Sequence, residues 1–91
     1  MIPLILIAED DADIRDLLRL YLEGEGFRVL EAPDGQTALD LAREHSPDMA
    51  ILDIMMPGMN GFELTRALRK YSDIPILILS AKSQDNDKIL G

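Results

Sequence analysis

Three short runs constrain this chain more than any other feature. Leu4–Ala8, Met49–Leu52 and Ile76–Leu79 are almost wholly apolar, and helix-length segments separate them. Strands this apolar are covered on both faces, which is the condition of a parallel sheet. Parallel neighbours also require long crossovers, right-handed and usually helical. A fourth run, Arg28–Ala32, sets Val29 and, less cleanly, Leu30 against Arg28 and Glu31. That alternation predicts a more exposed strand.

The segments between the runs read as helices. Ile14, Leu17, Leu18, Tyr21 and Leu22 make one apolar stripe, with Asp11 or Asp13 as the cap and Gly24-Glu25-Gly26 as the stop. Pro33-Asp34-Gly35 turns into a helix over Gln36–Glu44, with Ala38, Leu39, Leu41 and Ala42 on its buried side, and Pro47 ends it. Pro57-Gly58-Met59-Asn60-Gly61 is a loop by composition. Leu64, Ala67, Leu68 and Tyr71 then repeat the stripe, and Ser83–Leu90 begins a further helix. The expected fold is a doubly wound α/β sheet in one domain spanning residues 1–91. The chain reaches Gly91 with a helix barely begun, which reads as a fold cut short at its C-terminus.

Charge and composition narrow the function. The 91 residues carry 9 basic and 17 acidic side chains, a net charge of −8. Bulk electrostatics therefore disfavour direct binding to nucleic acid or to anionic lipid. Residues 1–53 hold 13 acids against 4 bases, and residues 54–91 hold 4 against 5, so the first half is the part that seeks cations. With no cysteine, disulfides and thiolate chemistry are excluded, which suits a reducing cytoplasm. The apolar opening at Ile2–Ala8 is too short for a signal peptide and lacks a cationic lead-in, and no stretch is long enough to span a membrane.

Ligands of open parallel sheets sit beyond the carboxyl ends of the strands. Glu9, Asp10 and Asp11 follow the first strand, Asp53 the third and Ser80 the fourth. Strand order 2-1-3-4 brings Glu9, Asp10 and Asp53 into one pocket. Carboxylates gathered this way repel one another, and an all-oxygen donor set favours a hard cation, Mg²⁺ first. An adjacent carboxylate can then act as nucleophile toward a phosphoryl group, and the Ser80 hydroxyl can hydrogen-bond a phosphoryl oxygen. Elsewhere the plain readings serve. His45 is a surface residue near a helix C-terminus; Met49, Met55, Met56 and Met59 fill core and loop; Lys82 and Lys88 are solvated.

These residues resemble a known family. Glu9-Asp10-Asp11 after an apolar strand is similar to the acidic pair of response-regulator receiver domains. The run Asp48–Gly61 resembles that family's phosphoacceptor strand and loop, and Ile74–Lys82 its fourth strand and hydroxyl switch position. The match runs the length of the chain and is closest to the branch with a winged-helix DNA-binding domain downstream. The resemblance implies that Asp53 accepts a phosphoryl group from a sensor histidine kinase, with Mg²⁺. Asp10 would ligate the ion directly, Glu9 through water, and Met55 through its backbone carbonyl. Ser80 would turn toward the phosphoryl group, and the small Ala81 would leave the site accessible. Such a protein is a cytoplasmic regulatory phosphoacceptor of a two-component system and not an enzyme with a separate substrate.

The departure lies at the end of the chain. The family's fifth strand, with its Lys and its switch aromatic, and its last helix have no counterpart before Gly91. One alternative is accordingly a receiver-fold interaction module without efficient phosphotransfer. Residues 76–91 are also expected to support self-association, because Ile76-Leu77-Ile78-Leu79 would form an uncharged, β-prone edge. A haloacid-dehalogenase-type phosphatase needs a second Asp where Met55 stands. A flavodoxin-like nucleotide binder needs a Gly/Ser/Thr-rich phosphate loop where three acids stand.

Overall fold

The computed structural model describes residues 2–79. Its elements run β1 (Leu4–Ala8), α1 (Ala12–Gly24), β2 (Arg28–Ala32), α2 (Gly35–His45), β3 (Met49–Asp53), α3 (Gly61–Leu68) and β4 (Ile76–Leu79). The four strands form one parallel sheet in the order β2-β1-β3-β4. β1 is central and buried along its whole length, whereas β2 at the edge exposes Arg28. The four runs thus form the four expected strands, with β1 and β3 interior and the alternating β2 at an edge. Asp53 joins β3 as its last residue, one beyond the apolar run.

The pleat sends alternate side chains to opposite faces. Leu6, Ala8, Ala32, Ala50 and Leu52 pack with Ala38 of α2, Leu64 and Leu68 of α3, and Met56. α1 packs against β1 and β2 outside that cluster.

Each helix starts on a side chain that accepts otherwise unpartnered N–H groups. Asp11, not Asp13, caps α1 and accepts from the Asp13 and Ile14 amides at 2.9 and 3.3 Å. Asp34 caps α2 through the Thr37 amide at 2.7 Å. Asn60 and Glu63 form a reciprocal capping box on α3, with both bonds at 2.9 Å.

Two stripes are narrower than expected. In α1, Ile14, Leu18 and Leu22 are half-buried, while Leu17 and Tyr21 are 68% and 66% exposed. Only the i, i+4, i+8 row faces the sheet, and the i+3 row turns past it. α3 ends at Leu68, so Tyr71 is not a helical core residue. It lies exposed with the Arg43 guanidinium 5.1 Å from its ring centroid. β4 is also less covered than its sequence suggests, with Leu77 at 48% exposure among the described residues. No helix among them is long and apolar enough to cross a membrane.

Candidate phosphoacceptor and metal site

Ala8 pairs with Leu52 across the β1–β3 ladder, so the residues that follow them emerge side by side at the carboxyl edge of the sheet. Glu9 continues the line of β1, its amide donating to Ala32 O at 3.0 Å. Both Glu9 and Asp53 are completely buried, whereas Asp10 is exposed. One carboxylate oxygen from each of the three lies within 4.8 Å of the others. The structure thus brings Glu9, Asp10 and Asp53 together at this edge. Asp11, next in sequence, turns away to cap α1.

Burial is costly for carboxylates, and the site shows the consequence. The Glu9 carboxyl is pushed up to about 7, chiefly by desolvation and further by its neighbours Asp10 and Asp53. A hydrogen bond from the Asp11 amide to Glu9 Oε2, at 3.1 Å, opposes the rise. Arg15 on α1 reaches back to donate from Nη1 to Glu9 O at 2.7 Å. It also lies 3.5 Å from Glu31 on β2, and Arg19 lies 3.0 Å from the same carboxylate. Sequence reasoning passed over Arg15 and took Glu31 only as an outward-facing strand residue. The one signal available was their spacing, Arg15 one turn before Arg19 on a helix next to β2.

Met55 stands two residues past Asp53, with its side chain 60% exposed, while Met56 turns inward and is buried. Ile54 N donates to Leu79 O at 3.1 Å, so the ends of β3 and β4 are joined beside the cluster. Ser80 and Ala81 lie outside the described residues. A concavity of about 590 Å³, lined by Ala42, Arg43, Leu68 and Tyr71 among others, belongs to the other end of the strands and includes none of the carboxylates.

Three acids of oxygen donors alone, two of them buried, suit a small hard divalent cation, which would offset their mutual repulsion. An open parallel sheet in the order 2-1-3-4, with such a pocket at its carboxyl edge, defines the class of the receiver-like α/β domains. The comparisons with known proteins agree. The family model for the response regulator receiver domain matches residues 5–90, and the chain belongs to that family.

Among curated relatives it is 51% identical over 87 residues to the response regulator GtcR of Aneurinibacillus migulanus, covering 96% of this chain and 36% of that protein. It is 45% identical over 87 residues to the DNA-binding response regulator MtrA of Mycobacterium tuberculosis, covering 96% and 38%. The chain thus spans little more than a third of these relatives. Among solved structures, the BeF3-activated N-terminal receiver domain of Klebsiella pneumoniae RstA superposes with a TM-score of 0.82 at 34% identity, covering 96% of this chain and 74% of that one. Vibrio cholerae CheY4 gives 0.83 at 32% identity, covering 100% and 82%.

Proposed function

We propose that this receiver domain takes a phosphoryl group onto Asp53 from a sensor histidine kinase and so controls a DNA-binding output domain. The observation that carries the reading is the convergence of Glu9, Asp10 and Asp53 within 4.8 Å at the carboxyl edge of the sheet. A carboxylate oxygen of Asp53 attacks phosphorus, and the P–N bond to the donor histidine breaks as that nitrogen leaves. Glu9, Asp10 and Asp53 would hold the cation, Asp10 and Asp53 directly and Glu9 through water, with the Met55 backbone carbonyl as a further ligand. Mg²⁺ supplies the positive charge that lets an anionic nucleophile approach an anionic phosphoryl group. Ser80 hydrogen-bonds the transferred group and passes the change to the segment that follows. The output domain is inferred from relatives that are DNA-binding regulators, and the setting is the cytoplasm.

The test is intact-mass measurement after incubation with acetyl phosphate, with and without Mg²⁺, beside Asp53→Asn. The expected result is one Mg²⁺-dependent phosphoryl adduct that the variant lacks. A folded chain that takes no adduct would instead act as an interaction module.

A further inference from the structure

The loop of residues 54–60 carries Met55, the backbone member of the proposed cation site, and it is tied at its root. Ile54 O accepts from both the Met56 and the Gly61 amides, each at 3.1 Å. The first residue of α3 therefore lies directly against the end of the phosphoacceptor strand. A Cβ at Gly61 would stand 2.5 Å from Asp53 O and 3.0 Å from Ile54 Cα. Those are backbone atoms and have no rotamer by which to move aside. Thr65 Oγ1 donates to Gly61 O at 2.8 Å and ties the same residue into the helix.

The far side of the loop is held in a similar way. A Cβ at Gly35, the first residue of α2, would stand 2.9 Å from Met59 O and 2.8 Å from Met59 Cβ. The loop is thus seated between the N-termini of two helices, and each contact depends on a missing side chain. Gly24, by contrast, has nothing within 4 Å of its Cβ position.

We infer that Gly61 and Gly35 are positioning residues for the cation: the two clearances set the path of the backbone that brings the Met55 carbonyl to the ion held by Asp10 and Asp53. This rests on the Mg²⁺ reading above. A methyl group at either position must displace backbone of the loop, and at Gly61 the carbonyl end of Asp53 as well. Residues that only orient metal ligands commonly change affinity by about 10–100-fold when altered, and both alanine variants are expected in that range.

The test is amide NMR titration with MgCl₂ on the wild-type chain, Gly61→Ala, Gly35→Ala and Gly24→Ala. Leu39→Ala, which trims a packed side chain of α2 and places no new atom against the loop, is added as a variant that lowers thermal stability only. The expected outcome is folded glycine variants with weakened Mg²⁺ binding at Gly61 and Gly35, and unchanged affinity in Gly24→Ala and Leu39→Ala. Should Gly61→Ala fail to fold, Gly35→Ala decides, because its clash falls on Met59 and not on the phosphoacceptor strand. Wild-type affinity in the folded glycine variants, or equal weakening in Leu39→Ala, overturns the positioning role while leaving the cation site standing. A wild-type chain that takes up no Mg²⁺ overturns both.

Discussion

Glu9 combines full burial with two carboxylates beside it, and each makes its ionised form expensive. Its carboxyl titrates near 7 in the folded chain against 4.5 ordinarily, so between those values the folded state holds a proton that the unfolded state has lost. The resulting stability is fully present below the ordinary value and disappears as pH rises through about 7. Without Mg²⁺, thermal unfolding followed from pH 4.5 to 7.5 should show stability falling with pH, by up to about 1.4 kcal/mol per pH unit from this group. Glu9→Gln should flatten that slope, and saturating Mg²⁺, which binds the ionised form, should reverse it. Asp34 behaves in the opposite sense. Hydrogen bonds from the Thr37 amide and from the Thr37 side chain hold its carboxyl below the usual range. The stability it contributes is present at neutral pH and lost as pH falls through its lowered value. Asp34→Ala should cost about 1 kcal/mol at neutral pH by urea unfolding, and less in acid.

At the scale of elements, the helices differ in what holds them. α3 has two completely buried leucines and a closed capping box. Leu64→Ala should therefore cost about 2–5 kcal/mol. α1 buries no residue completely and leans on polar contacts at its flank, where Arg15 and Arg19 meet Glu31. Partly exposed pairs of that kind are each worth about 1 kcal/mol or less. Leu17→Lys on its exposed row should move stability by no more than about 0.5 kcal/mol, which urea unfolding would resolve from the Leu64→Ala loss. The α1 stripe was legible as a helix but not as a set of contacts. Periodicity gives the side on which apolar residues gather, whereas the angle at which a helix meets its sheet decides which row is covered. Tyr71 fell outside α3 for a similar reason. Its spacing fits the stripe, but the chain leaves the helix after Leu68, where Arg69 donates to Ser72 O and Ile74 O at 3.2 and 2.7 Å and folds the turn back.

For the molecule as a whole, β4 is paired only with β3 among the described residues, and Leu77 on it is half exposed. An uncharged apolar edge of this kind invites pairing with another chain. Sedimentation of the 91-residue chain should show mass rising with concentration, and Leu77→Lys should restore the monomer. A monomer at all concentrations would retire the self-association reading, whose remaining residues, 80–91, lie outside the described part.

The sequence by itself determined the strand and helix order, the parallel sheet and the candidacy of Glu9, Asp10 and Asp53. Those features rest on local signals: apolar runs of strand length, capping residues, and acids placed directly after strands. Only the tertiary structure decided that Arg15 reaches the Glu9 carbonyl, that Glu31 anchors α1, and that Gly61 and Gly35 clear the way for the loop beside Asp53. Each of these depends on how closely one element comes to rest against another, to within a few ångströms. No residue type or spacing encodes such a distance until helices have settled on the sheet.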